Sequence, residues 1–223
     1  YLKGYKPTGK FIPQVTAGLA DEYLHLMARN NELMNVFESL SLNVANVEVL
    51  SVPVRDVRPD VLRPIMQAAR QRKRLEVDYV SINNPDREGR IIVPHTLVYT
   101  GLRWHVRAWC EKNSEYRDFV LSRFRDIPEI MDESTHGIDG DTEWNTEATI
   151  RVVPDPRLSP EQQQVVEVDY GMVNGMLEVH TRAKLVPYAL KLLHIDPKET
   201  QDDPTAQQII VQNLAQLTPW LFH

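Results

Sequence analysis

Cysteine is nearly absent: Cys110 is the sole thiol among 223 residues. One cysteine excludes a disulfide framework within the chain and any zinc site built on paired cysteines. No apolar run approaches the roughly 20 residues that span a bilayer, and no basic, apolar and small-residue leader opens the sequence. The expectation is a cytoplasmic chain that stays off the membrane. Glycine-rich phosphate loops are missing too, since neither Gly-x-Gly-x-x-Gly nor Gly-x-x-x-x-Gly-Lys-Ser/Thr occurs. There is no Gly-x-Ser-x-Gly elbow, and the seven histidines include no pair four residues apart that could hold zinc on a helix. No nucleophile and base can be paired, so an enzyme, a cofactor and a metal are not expected.

Net charge of −6 argues against a nucleic-acid surface extending over the whole chain. The charge is unevenly spread. Lys and Arg are missing altogether from Asp126 to Ile150, where Asp126, Glu129, Asp132, Glu133, Asp139, Asp141, Glu143 and Glu147 fall. That run reads as a solvated linker. The segment Arg55–Arg74 is the reverse, with Arg58, Arg63, Arg70, Arg72 and Lys73 against only Asp56 and Asp60. Its last five residues suit a helix C-terminus, where cations are favoured; phosphate contact is the competing reading.

Hydrophobic spacing divides the chain into an amino-terminal arm and connecting region over 1–59, a central β domain over 60–130, the acidic linker over 131–146 and a carboxy-terminal α+β module over 147–223. The first part is an extended arm over 1–13, a helix from about Thr16 to Arg29, a short helix over 30–39 and a strand over 46–54. The helix from Asp60 to about Arg72 takes Asp60 as N-cap, has Pro64 near its first turn and buries Leu62, Ile65, Met66 and Ala69. In the last module, Ser159-Pro160-Glu161-Gln162 is a helix start between strands at 147–153 and 176–183; a helix over 186–193 and a strand over 207–211 follow. This β-α-β-α-β order predicts a ferredoxin-like arrangement.

The centre of the chain is Leu75–Ile127, which reads as four consecutive strands. Leu75, Val77, Tyr79 and Ser81 share one face by alternation. Asn83 to Gly89 is turn chemistry, and Pro94 marks an edge or a bulge in the next strand. Trp104, Val106, Ala108 and Cys110 alternate with Arg103, His105, Arg107 and Trp109, and Arg117, Phe119, Leu121 and Arg123 share a face of the last strand. A meander this short and twisted curls into a half-open or closed barrel. Arg117 and Arg123 beside buried Phe119 and Leu121 pose a problem, because an unpaired buried guanidinium costs several kcal/mol. Either they pair with Glu76, Asp78 or Asp118, or they line a pocket that receives an anion, for which the planar guanidinium fork is suited.

Gly101-Leu102-Arg103-Trp104-His105-Val106, followed by Arg117-Asp118-Phe119-Val120-Leu121-Ser122-Arg123-Phe124, resembles the WYL domain of bacterial transcriptional regulators. That family has a Gly-x-x-Trp-Tyr-Leu strand followed by a strand rich in Phe and Arg, and Val93-Pro94-His95-x-Leu97-Val98 fits upstream. Here the signature Tyr is His105 and the Leu is Val106, which puts a group that titrates near neutrality where the family has a phenol. The flanking segments are similar to WYL repressors that sit beside phage-defence operons. The resemblance implies an α+β protein with a small Sm-like β-barrel, a homodimer, and operator DNA read by an amino-terminal winged helix-turn-helix. None is recognisable in this chain, so the DNA reader is expected to be removed or never present.

Two functions follow. In the first, the barrel pocket binds an anionic nucleotide-like effector or a short nucleic-acid segment. Arg107, Arg117 and Arg123 hold phosphate, Tyr79 and Trp104 stack a base, Ser81 and His95 fix its orientation, and His105 is counted among the ligand-binding residues. Alternation cannot place all of these on one continuous face, so some lie on the rim. In the second, the chain is a structural homodimerisation module whose arginines are closed off by carboxylates. A nucleotide hydrolase is a distant third.

Overall fold

The structure, a computed structural model, describes residues 55–199 and 201–221, with 84, 86 and 87 excepted. The arm, helices and strand expected before residue 55 lie outside these described residues.

Helix α1 (Pro59–Gln71) opens the described chain. Its N-cap is Arg58 rather than Asp60; Pro59 occupies the first turn, where its missing N–H costs nothing, and Asp60 follows it as an acidic first-turn residue. Of the four positions expected to be buried, Ile65 is in the core and Leu62 packs partly buried against it, while Val61 and Ala68 take the places expected for Met66 and Ala69. The helix ends at Arg72, whose left-handed φ of 52° is a strained choice for a side chain with a Cβ. Its guanidinium meets Asp139 at 2.9 Å.

Strands β1 (Lys73–Tyr79), β2 (Glu88–Tyr99), β3 (Trp104–Cys110), β4 (Glu115–Val120) and β5 (Glu129–Glu133) form one antiparallel sheet in the order β4-β3-β2-β1-β5. Its α1-facing side is apolar: Leu75, Val77, Tyr79, Ile92, Val106, Ala108, Cys110 and Phe119 are buried with the helix stripe. The alternation read in β1 and β3 therefore holds. β4 is shorter than expected, ending at Val120; Leu121–Arg123 is a single 3-10 turn. After that turn Phe124 bridges Tyr79, Arg125 N–H donates to the Asp78 carbonyl at 2.9 Å, and Val80 N–H donates to the Arg123 carbonyl at 3.2 Å. The segment leaving β4 thus returns to β1, three places away in the sheet, so the sheet curls.

Pro94 sits in an interior strand and is accommodated by a bulge: Pro94 pairs with Ala108 and Thr96 with Arg107, leaving His95 as the extra residue. The bulge shifts the alternation of β2 by one. Ile92 is core before it and Leu97 packs on the core after it, while Thr96 faces the same way as Arg107.

The acidic stretch is not a solvated linker. Glu129–Glu133 forms β5 against β1, and a 3-10 turn (Ile138–Gly140) leads to the short helix α2 (Thr142–Asn145), where Asp141 and Trp144 are buried. Asp141 caps α2 by accepting from Trp144 N–H at 3.2 Å.

A second sheet contains β6 (Glu147–Pro154), β7 (Leu177–Arg182) and β8 (Ile209–Val211), in the order β7-β6-β8 with both pairs antiparallel. These three strands are what the described residues show of the expected ferredoxin-like module. Helices α3 (Pro160–Asp169) and α4 (Val186–Leu192) and the short α5 (Leu214–Leu217) contribute Val166, Val186, Leu190 and Leu217 to a core with Ile150, Val152 and Ile209. The cap read at Ser159 is present as a full capping box: Gln162 N–H donates to the Ser159 hydroxyl at 3.3 Å and Ser159 N–H to the Gln162 side chain at 2.8 Å.

Candidate functional site

The chemistry lies on the face of β2–β4 opposite α1. His105 and Arg107 are two apart on β3, and Asp118 is the cross-strand partner of Arg107 on β4. All three share the face opposite the core residues Val106, Ala108 and Phe119, together with the buried Val93 and Val120. The segment around α2 and the helix α4 cover it.

Arg107 is the centre of a closed network. Its side chain is 1% exposed, as is that of Asp141. Arg107 donates Nε–H to Asp141 at 2.6 Å and Nη2–H to Asp141 at 3.0 Å, a two-pronged contact. It also donates to Glu143 at 2.9 Å and approaches Asp118 at 3.4 Å. His95, turned in by the bulge, donates to Asp141 through Nε2 at 3.2 Å, and its Nδ1 lies 2.8 Å from the Thr96 hydroxyl. Burial alone would favour a protonated Asp141, but hydrogen bonds from His95 and Arg107 hold its carboxyl well below the usual range. Burial likewise opposes the charge on Arg107, and the Asp141 hydrogen bond with the surrounding carboxylates outweighs it.

Beside this network is an open group. His105 is 5% exposed, and its Nδ1 is buried with no hydrogen-bond partner among the described residues. Burial pushes its imidazole down to about 4; Asp118 pulls the other way, and the charges of Arg103 and Arg123 reinforce the fall. At neutral pH the ring is uncharged. Arg103 and Arg123 are both half-buried, and neither guanidinium has a hydrogen bond or ion pair with a described residue. Tyr188 of α4 closes the group from the other side, its ring 5.4 Å from that of His105 and its hydroxyl donating to Asp118 at 3.0 Å. Burial, then the neighbouring Asp118 carboxylate, pushes the Tyr188 phenol up. On the rim, Trp104 and Tyr99 are half exposed, with ring centroids 5.1 Å apart.

The structure thus brings His105 together with the charge of Arg123, and joins His95 to Arg107 through Asp141. It separates the rest. Tyr79 is a core residue, its ring edge-on to Phe119 and Phe124 and its hydroxyl accepting from Val120 N–H at 3.0 Å, so it has no free face for a base. Arg107 has its donors committed to carboxylates. Arg117 is exposed and lies 3.3 Å from Glu115, an exposed pair. Ser81 is half-buried beyond the end of β1. Sequence reasoning missed Arg103, Tyr99 and Tyr188. Arg103 and Tyr99 flank the Gly101 turn and were legible there; Tyr188 comes from the carboxy-terminal module, 70 residues from its partner Asp118. Among the described residues no cluster of three or more His, Cys, Asp or Glu could hold a metal ion, and no helix is long and apolar enough to cross a membrane.

Two family models match the chain: the WYL domain over residues 60–128, and the BrxR transcriptional regulator C-terminal dimerization domain over residues 147–217. A DNA-binding transcriptional repressor CapW of Stenotrophomonas maltophilia is 32% identical over 220 residues, covering 97% of this chain and 73% of that protein. The CapW repressor of Escherichia coli (strain KTE188) is 35% identical over 167 residues, covering 74% of this chain and 56% of the relative. Among solved structures, proteasome accessory factor B/C of Arthrobacter aurescens aligns over 89% of this chain and 32% of its own at 15% identity, with a TM-score of 0.36, too low to carry an argument.

Proposed function

The chain belongs to the WYL-domain transcriptional repressors named CapW, and from that premise we propose that the group formed by Arg103, His105 and Arg123 receives an anionic, nucleotide-like effector. The observation that carries this reading is the pair of guanidinium groups that have no carboxylate partner among the described residues, beside a buried imidazole nitrogen that likewise has none among them. Arg107 has three carboxylates close by, so this chain can close off a guanidinium with acids where it needs to. Two half-buried cations left open here have a use for an anion.

The roles follow from position. Arg103 and Arg123 hold phosphate, with the buried, uncharged His105 ring beside them. The Tyr99–Trp104 pair on the rim offers a stacking surface that suits any base. The sheet is read as a small Sm-like barrel, supported by the return of Arg123–Arg125 to β1, and the site lies on its outside at the rim. Because Tyr188 belongs to the stretch matched by the dimerization model, occupancy at His105 bears on how the two regions are held together. An effector that binds two arrangements of a dimer unequally shifts the balance between them. Operator DNA is assigned to an amino-terminal winged helix-turn-helix that is not recognisable in this chain, and the target is a phage-defence operon in the cytoplasm.

Melting temperature followed against a panel of mononucleotides and short single-stranded oligonucleotides tests the proposal, since a ligand at about 100 times its Kd adds about 2.7 kcal/mol. A shift with at least one phosphate-bearing probe that vanishes in Arg123→Ala is the expected result. A purely structural homodimerisation module would show no shift across the panel.

A further inference from the structure

Exposed apolar side chains are unevenly distributed over the second module. Between residues 147 and 217 the large ones are Val165, Val168, Tyr170, Val173 and Leu192, and the first four fall within nine residues at the end of α3 and in the turn after it. Val165 is 60% exposed, Val168 81% and Val173 72%. Leu192 has a different setting, since its side chain lies against Gly101 of the WYL region.

Val165 and Val168 are three apart, so they lie together on one side of α3, while Val166 faces the core. The helix ends tightly: Gly171 N–H donates to Val168 C=O at 3.1 Å and Met172 N–H to Glu167 C=O at 2.8 Å, which turns the chain back with Val173 following at once. Valine is a poor choice for a solvated helix face, where Glu, Gln or Lys form helix better and need no cover. The preceding turn of the same helix uses Glu161, Gln162 and Gln163. The sequence therefore gives up helix propensity and solubility at these positions, and nothing described within the chain repays it.

We propose that this face, centred on Val165, Val168 and Val173, is where a second copy of the chain docks. The family model over residues 147–217 is described as a dimerization domain but names no face; these residues supply one. They form an interface's apolar centre rather than its whole extent, which takes about 800 Å² per partner. Glu161 and Asp169 flank the valines, so two copies meet acidic rim to acidic rim and association tightens as salt is added.

The test is sedimentation equilibrium of the chain and of a Val165→Glu/Val168→Glu variant, at low and high salt. Glutamate forms helix at least as well as valine and the positions are exposed, so the variant keeps its fold, checked by an unchanged circular dichroism spectrum. The expected result is a dimer, twice 25.8 kDa, whose dissociation constant rises at least tenfold in the variant and falls with salt in the wild type. A monomeric wild type, a variant that dimerises equally well, or a dimer weakened by salt overturns the proposal. A Val168→Cys variant gives a second reading, because the native thiol of Cys110 is buried. Maleimide labelling of the new thiol slows as protein concentration rises if the face is covered, and a rate independent of concentration overturns the assignment. Nucleotide-dependent melting is unaffected by these substitutions, so failure here is distinguishable from failure of the effector site.

Discussion

Arg107 and Asp141 meet at 2.6 Å in a setting where each side chain is 1% exposed, 34 residues apart in sequence. This pair pins the acidic segment onto the sheet. Carboxylates from three places converge on one guanidinium: Asp118 from β4, Asp141 from the cap of α2 and Glu143 from α2 itself. Lys184 also lies 3.4 Å from Glu143, and Arg182 donates to the Trp144 carbonyl at 2.7 Å, so the second module holds the same segment from the far side.

Replacing Asp141 with Asn leaves Arg107 buried with its main counter-charge gone. Loss of one partner of a buried pair costs about 3–5 kcal/mol. Urea denaturation of Asp141→Asn is expected to show that loss. An Arg107→Met/Asp141→Leu double variant, in which no charge is stranded, is expected to lose less than the single one.

Tyr188→Phe removes the hydroxyl that donates to Asp118 and keeps the ring over His105. The cost is about 1.5–3 kcal/mol for a hydrogen bond to a charged acceptor. The same denaturation experiment measures it, and a variant as stable as wild type would show that the contact contributes nothing to joining the two regions.

Gly101 has φ of +83°, a conformation that residues with a Cβ rarely adopt, and a Cβ there would collide with the Leu192 side chain of α4. Gly101→Ala is therefore expected to lower stability by about 1 kcal/mol, mostly through backbone strain, because the exposed end of Leu192 can turn aside. Shortening the neighbour in Gly101→Ala/Leu192→Ala relieves the overlap and leaves the strain, and the difference between the two melting temperatures separates them.

His105 makes stability fall in mild acid. Its folded value of about 4 is below the ordinary 6.5, so between those limits the unfolded chain binds the proton more readily. This contribution is fully present above pH 6.5 and is lost as pH falls toward 4. His105→Gln removes it, flattening the stability profile over that window by about 1–3 kcal/mol. A variant profile parallel to wild type between pH 6.5 and 4 would contradict the assignment.

Much of the sheet was legible because alternation is a local signal. Val106, Ala108 and Cys110 against His105 and Arg107 could be read from seven residues, and Pro94 announced its bulge. What lay beyond reach was partnership at a distance. Asp141 sits in a run with no basic residue, so its neighbours in sequence suggested solvent; its partner comes from β3. Tyr188 was invisible for the same reason, 70 residues from Asp118. The strand expected through Phe124 stopped at Val120 because a 3-10 turn there lets Phe124 pack on Tyr79. The resemblance to WYL regulators pointed to the right stretch, but alternation alone could not tell the clamped Arg107 from the open Arg123.

The central claim is that Arg123 and Arg103 stand open for an anion while Arg107 and Arg117 do not take part. Fluorescence anisotropy of a labelled single-stranded pentanucleotide, titrated with wild type, Arg123→Ala and Arg117→Ala at one salt concentration, tests it most directly. Losing a charge-assisted contact of about 1.5–3 kcal/mol predicts at least tenfold weaker binding for Arg123→Ala, with Arg117→Ala within twofold of wild type. Equal affinities for all three proteins, or a larger loss in Arg117→Ala, would contradict the account.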